Sequence, residues 1–174
     1  MSICSAWIIT TARLHMAPVG YRDLPDLVRL KGDPRAFAMM LGGVRTPLQT
    51  AEELAHDIQD WSRFGYGTWT IRARRGRFLG LTALQHRPDG RGVALRFAFL
   101  PDVRGFGLAS EATSAALAYA HDVVGLQRVV AIAREDNFAS RAVLGAIGMA
   151  QIDEFVRDGN LLFVFQSVRR RSGG

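Results

Sequence analysis

The run Phe97-Ala98-Phe99-Leu100-Pro101-Asp102-Val103-Arg104-Gly105-Phe106-Gly107-Leu108-Ala109 constrains the fold more than any other feature. An apolar strand breaks at Pro101 into a glycine-bearing turn and opens at once into a helix. The first N–H groups of such a helix are unpaired and converge on one spot, where the helix dipole adds partial positive charge. Gly105 and Gly107 tolerate φ > 0 and carry no side chain, so a ligand can come close to the backbone. Arg104 adds a full positive charge beside them. This is a device for holding phosphate.

At 174 residues and 48% hydrophobic, the chain suffices for one well-buried core and is short for two. A single domain is expected over 1–174, with its core at about 8–168 and a short disordered basic tail at 169–174. Cys4 is the only cysteine, which excludes a disulfide framework and a thiolate metal site and suits a reducing cytoplasm. The apolar stretch from Ala6 to Ile9 has no basic region before it and is too short for a signal core or a membrane span, so no membrane partner is expected. The net charge of +6, carried by arginine apart from Lys31, attracts anions. Arg169, Arg170 and Arg171 read as a solvated tail, and Arg72, Arg74, Arg75 and Arg77 surround a hairpin turn at Gly76. Neither group is interleaved with aromatic residues as a base-stacking surface would be, so no specific nucleic acid is expected.

Leu14, Met16 and Pro18 alternate with polar neighbours as a first strand, and Asp23-Leu24-Pro25-Asp26-Leu27 starts a short helix. A second helix is expected with Thr50 as N-cap, Glu53 completing a capping box, Leu54, Ile58 and Trp61 on its apolar face, and Gly65 and Gly67 ending it. Three strands follow, Thr68 to Arg74, Phe78 to Gln85 and Val93 to Leu100, as an antiparallel meander. A long helix from Leu108 to Val124 stops at Gly125, a buried strand spans Val129 to Ala133, and Asn137 caps a helix reaching about Ile147. Two last strands flank Asp158-Gly159-Asn160. The result is a mixed α/β fold, a mostly antiparallel sheet of six to seven strands flanked by about four helices, in the order βααβββαβαββ.

Two glycines can make a plain tight turn, and the same turn could serve nucleotide-binding regulation. A dinucleotide fingerprint fits badly, because the turn comes late and after antiparallel strands, and no lysine follows Gly107 as a Walker motif needs. However, Arg104-x-x-Gly107-x-Ala109 at a strand-to-helix junction, followed about thirty residues later by Asn137-x-x-Ser140-Arg141, resembles the acyl-CoA signature of the GCN5-related N-acetyltransferases (GNAT). Thr11-Ala12-Arg13-Leu14-His15-Met16, Gly67-Thr68-Trp69-Thr70-Ile71, Phe78-Leu79-Gly80, Gly107-Leu108-Ala109-Ser110-Glu111-Ala112 and Gly148-Met149 resemble its RimJ/RimL branch, which acetylates protein N-termini. The resemblance runs from about residue 8 to residue 168.

That resemblance implies acetyl-CoA as cofactor, held at its pyrophosphate by the backbone of Arg104, Gly105, Phe106, Gly107, Leu108 and Ala109. The strand from Arg96 to Leu100, with Phe97, Phe99 and Leu100, would pair with the pantetheine amides, and an N–H near Phe99 or Leu100 would face the thioester oxygen. Asn137 is read both as an N-cap and as a contact to the pantetheine arm. Ser140 is read as reaching the cofactor sulfur or as bonding its own helix, and Arg141 as meeting the adenosine phosphate or as solvated. The tyrosine that many members carry as proton donor is replaced by Leu144, so Ser140 or a water must substitute. A frequent acid and glycine of the branch appear as Ala94 and Arg96, and a polar pair before the last strand as Leu161-Leu162.

The acceptor implied is a primary amine, either a protein N-terminus or a small molecule. At pH 7 an α-amine loses its proton for about 1 kcal/mol and a lysine side chain for about 4.6 kcal/mol, which favours a low-pKa amine where no strong base is evident. Direct attack in a ternary complex then suffices. Glu154 and Asp158, on or beside the last hairpin, are read as candidate bases or as solvated carboxylates, with Glu154 the candidate carried forward; Glu111 reads as an acid favoured by its helix dipole, and Trp69 as core or as lining the substrate cleft. His15, His56, His86 and His121 lack metal-ligand spacing, with His121 on an exposed helix face, so no metal is implied. The alternative is an acyl-CoA-binding regulatory module with weak or lost catalysis. The sequence leaves the oligomeric state open, a homodimer included.

Overall fold

The alternation at Leu14, Met16 and Pro18 is realised in β2 (Leu14–Pro18), which buries those three residues and turns His15 outward. The computed structural model describes residues 3–170, so 171–174 of the expected tail lie outside it. Arg169 is tied down by its N–H, which donates to Gln127 O at 2.8 Å. β2 lies antiparallel to β3 (Thr68–Ala73), β3 to β4 (Phe78–His86) and β4 to β5 (Val93–Phe99), which is the expected meander. Beyond it, β6 (Arg128–Arg134) runs parallel to β5, and β8 (Asn160–Val168) separates β6 from the edge strand β7 (Ala150–Arg157). A two-residue β1 (Ile9–Thr10) closes the other edge, giving eight strands among the described residues in the order β1-β2-β3-β4-β5-β6-β8-β7. The eighth strand exceeds the expected number because two residues are too few to show alternation.

Among the described residues, five α-helices accompany the sheet: α1 (Leu24–Gly32), α2 (Pro34–Phe37), α3 (Pro47–Phe64), α4 (Leu108–Ala118) and α5 (Phe138–Ala146). α2 is a single turn, started by Asp33, whose carboxylate accepts the Arg35 N–H at 2.9 Å. The N-cap of α3 is Thr46 and not Thr50. Pro47 takes the first helical position, Thr46 Oγ1 accepts from Gln49 N, and Gln49 Oε1 accepts from Thr46 N. Thr50 lies buried one turn later, bonded to Thr46 O, and Glu53 is left free for ion pairs. α4 widens into a π-helical turn (Tyr119–Val124) before Gly125 stops it at φ +83°.

Trp69 fills the core, with no exposed surface, and Trp61 meets it edge-on at 4.8 Å between ring centres. Each indole N–H finds a backbone carbonyl at 2.8 Å, Trp61 that of Thr68 and Trp69 that of Trp7, so burial leaves no donor unpaired. One hairpin arginine turns inward: Arg72 Nη2 lies 2.9 Å from Asp23 and 2.8 Å from Asp26, fastening β3 to the start of α1. No helix of the described residues is long and apolar enough to cross a membrane.

Candidate active site

β5 and β6 pair at Ala94 and Val130, and beyond that pair the two strands part. The Leu100 N–H donates to Leu79 O at 2.9 Å, on the β4 side. Because successive strand N–H groups point to opposite edges, those of Phe97 and Phe99 face the opening on the β6 side. Of the two donors expected near the end of this strand, Leu100 is therefore occupied and Phe99 is available. The opening holds a narrow cavity of about 50 Å³, lined by Ala94 to Phe97, by Ala131 to Arg134, and by Asn137 and Ser140. Asn137 Oδ1 caps α5 by accepting the Ser140 N–H at 3.2 Å, and its Nδ2 has no partner among the described residues.

The glycine turn has the geometry its residues predict. Gly105 and Gly107 have φ of +87° and +74°, and Gly107 caps α4. The first helical bond joins Glu111 N to Gly107 O at 3.1 Å, which leaves the N–H groups of Leu108, Ala109 and Ser110 pointing out of the exposed turn. Arg104 does not close over this turn, because its Nη2 donates to Arg35 O at 2.5 Å, towards α2. The cation beside the turn is Arg13, whose Nη1 donates to Phe106 O at 2.7 Å while its Nε contacts Glu111 at 2.6 Å. Glu111 also accepts from Thr11 Oγ1 and Arg13 N, so it fastens the β1–β2 turn to the start of α4. Burial pushes this carboxyl up, and the bonds from Thr11 and Arg13 outweigh it, holding Glu111 below the usual range.

A second, larger cavity of about 420 Å³ lies between α1, α3 and the face of β4 that carries Leu81, Ala83 and Gln85. Arg96 and Met40 line both cavities, so the two meet there. Inside, Glu53 takes Lys31 Nζ and Arg45 Nε at 2.6 Å each. Burial pushes Glu53 up, but these two cations bring it below its ordinary value. Asp57, 7% exposed, accepts Gln85 Nε2 at 2.7 Å, and Gln85 Oε1 accepts Arg96 Nη1 at 2.9 Å. Burial dominates at both ends of this chain, raising the Asp57 carboxyl and lowering the Arg96 guanidinium.

The structure brings Phe97, Asn137 and Ser140 together around the opening between β5 and β6, which Phe99 also faces. It does not bring Glu154 there. That residue is exposed on β7 opposite Phe163 and lines neither cavity, and Asp158 sits in the exposed hairpin turn at φ +51°. Arg141 donates to Glu135 O at 2.7 Å and lies over the Phe163 ring at 4.8 Å. His121 is not on an exposed face: its Nδ1 and Nε2 meet Leu126 O at 2.7 Å and Ser167 Oγ at 2.9 Å. Sequence reasoning did not bring Asp57, Gln85 and Arg96 together in one cavity, and it did not place Arg13 beside the glycine turn. A signal for the first existed, since Glu53, His56, Asp57 and Asp60 recur at the spacing of one helix face.

Comparison with known proteins places this geometry. Residues 13–150 match the family model described as an acetyltransferase (GNAT) domain. The FsC-acetyl coenzyme A-N(2)-transacetylase of Aspergillus fumigatus is 27% identical over 169 residues, covering 89% of this chain and 70% of that protein. Among solved structures, an acetyltransferase from Agrobacterium tumefaciens superposes with a TM-score of 0.83 at 25% identity, over 97% of this chain and 96% of its own. A Salmonella typhimurium acetyltransferase that modifies the N-terminal serine of ribosomal protein L7/L12 shares the fold, with a TM-score of 0.80 at 17% identity over 94% and 99% of the chains. With the parted strands and the glycine turn at the start of α4 falling inside the matched residues, this chain belongs to the GNAT family of acetyltransferases.

Proposed function

We propose that this enzyme transfers the acetyl group of acetyl-CoA to a primary amine, with both substrates bound at once. One observation carries the proposal: the open edge of β5 runs from the glycine turn to Arg96, where the narrow cavity meets the large one. The residues present fit the cofactor. The N–H groups of Leu108, Ala109 and Ser110 form a cradle for the pyrophosphate, and the Gly107 that opens it has a φ of +74°, which a side chain there would strain. The N–H groups of Phe97 and Phe99 offer an extended edge for the amides of the pantetheine arm, as an added strand would use it, and Asn137 Nδ2 is a further donor. When bound, acetyl-CoA supplies an acyl group activated as a thioester.

The chain's own part is to bind, align and move protons. The amine nitrogen forms the new C–N bond as the C–S bond breaks, and the amine's protons leave to water and to the departing sulfur. Ser140, at the wall of the narrow cavity, is the hydroxyl placed to pass the second proton. Holding both reactants on a rigid sheet supplies most of the advantage, since alignment alone contributes about 7–11 kcal/mol in favourable cases. The acceptor is a protein N-terminus or a small amine, the former paralleled by the Salmonella enzyme, which modifies an N-terminal serine.

Calorimetry with acetyl-CoA and with CoA, followed by thiol release over N-terminal peptides, polyamines and amino acids, tests this. Binding with release on one amine class is expected. Binding without release on any amine would leave an acyl-CoA-binding module, and no binding would overturn the assignment of the glycine turn.

A further inference from the structure

Arg96 and Asp57 are distinguished by their lack of ionic partners. Lys31, also in the lining of the large cavity, is matched by Glu53 at 2.6 Å, which Arg45 joins from outside the lining. Asp60 and Arg63 also line the cavity without an ion pair among the described residues, but Asp60 is half-buried and Arg63 exposed, so water reaches them. Neither Arg96 nor Asp57 forms an ion pair among the described residues, and each hydrogen-bonds only to the neutral amide of Gln85. A guanidinium has five N–H donors, so one bond to Gln85 leaves most of them unused. A charge withdrawn from water without a counter-ion is unfavourable, and a ligand that brings the counter-ion recovers that energy. The consistent lowering of the Arg96 pKa and raising of the Asp57 pKa by burial express the same deficit.

The register fixes where these charges stand. Gln85 is paired with Ala94, and Ala83 with Arg96, so Gln85 and Arg96 occupy the same sheet face, next to a position where the side chain is only a methyl group. Asp57 approaches that face from α3. The carboxylate and the guanidinium are thus separated by one amide group and two hydrogen bonds, a span that a compact molecule with an ammonium and a carboxylate can bridge. Both cavities meet at Arg96, so a ligand held there lies beside the open edge of β5.

We infer that the large cavity is an acceptor site for a free α-amino acid or a similarly compact zwitterionic amine, its carboxylate paired with Arg96 and its ammonium with Asp57. The inference rests on the acetyl transfer proposed above and narrows the acceptor. A peptide N-terminus has a neutral amide where the carboxylate would be and leaves Arg96 unpaired. A polyamine places a second cation near the guanidinium, which repels it.

The test compares matched probes: L-methionine with L-methioninamide, L-phenylalanine with L-phenylalaninamide, a Ser-Met-Ala tripeptide, and spermidine. Thiol release gives kcat/KM for each, and calorimetry on the enzyme saturated with CoA gives the Kd of the same probes without turnover. The free acids are expected to exceed their amides by tenfold or more in kcat/KM and in affinity, with the tripeptide and spermidine grouped with the amides or below. Arg96→Gln is expected to bring the acid-to-amide ratio to about one, mainly through a higher KM for the acids. If that variant does not fold, the wild-type acid-to-amide ratio still decides. Amides, tripeptide or spermidine equal to or better than the acids overturn the zwitterion site while leaving acetyl transfer intact. Absence of release with every probe, in enzyme that binds acetyl-CoA, overturns both.

Discussion

Gly80 sits in β4 opposite Phe99, and a methyl group there tests whether the parted strands are set by backbone packing. A Cβ on Gly80 would lie 2.3 Å from Ala98 O and 2.8 Å from Phe99 Cα, both backbone atoms of β5. No rotamer change relieves such a contact. Reaching an ordinary separation requires β5 to move by about 1 Å at the residue whose N–H faces the opening, and overpacking of this kind typically costs about 1–3 kcal/mol. In a chain of this size each kcal/mol lowers the melting temperature by about 2–4 °C. Displacements near 1 Å at a site of aligned reactants lower rates by up to about a hundredfold, so Gly80→Ala is expected to reduce kcat/KM for acetyl-CoA by about 10–100-fold. Urea unfolding and steady-state thiol release measure the two effects. Gly145→Ala is the control: it lies in α5 with nothing within 4 Å of the added Cβ, and is expected to stabilise by about 0.5–1 kcal/mol with unchanged kinetics. A Gly80→Ala enzyme within about 0.5 kcal/mol of wild type and with normal kinetics would refute packing control of the cleft.

Three further variants probe the site. Gly107→Glu puts a carboxylate and a strained φ of +74° at the phosphate cradle, and should weaken acetyl-CoA binding by about a hundredfold or more in calorimetry; a folded variant with unchanged affinity would dismiss the cradle. Ser140→Ala should lower kcat by about tenfold or more with a smaller change in acetyl-CoA affinity, and equal turnover would leave Ser140 as a helix residue only. Asp57→Asn should trade activity for stability. Its folded pKa is raised, so the folded state holds a proton that the unfolded state has released, and the carboxyl's contribution declines as pH rises from the ordinary value near 3.8 through the raised one. The Asn variant should therefore melt higher than wild type near pH 7, with the gap closing as pH falls towards 4, and should acetylate amines more slowly. A lower melting temperature near pH 7 would mean that a partner offsets the burial of Asp57.

The sequence made the cofactor side legible and left the acceptor side dark. Pro101, Gly105, Gly107 and Asn137 act through the backbone within a few residues of themselves, so a strand, a turn and two helix starts could be placed from local pattern. The same local logic misplaced the start of α3, where Thr50 and Glu53 imitate a capping box and Pro47 with Gln49 supplies the real one. Local pattern also offered Glu154, because a carboxylate near a hairpin shows in the sequence; which strand faces a cavity does not, and Glu154 is exposed and lines neither cavity.

Asp57, Gln85 and Arg96 come from α3, β4 and β5, and only the packing of that helix on that sheet brings them into one cavity. The division has a consequence for how such an enzyme can change. The cradle at Gly107 and the open edge of β5 are written in backbone N–H groups, which most substitutions elsewhere leave in place. The large cavity proposed for the acceptor is written in side chains, with two unpaired charges, Asp57 and Arg96, joined by the neutral Gln85. On that proposal its preference for an acceptor can shift by single substitutions at 57 or 85, away from the narrow cavity that Arg96 also lines. Lys31, Glu53 and Arg45 set a limit on that freedom. They form a buried ion network beside the same cavity, and loss of one member leaves an uncompensated charge, at a cost of about 3–5 kcal/mol where burial is complete and less for the partly exposed Glu53. Change of acceptor should therefore run through the Gln85-linked pair and spare the Glu53 network.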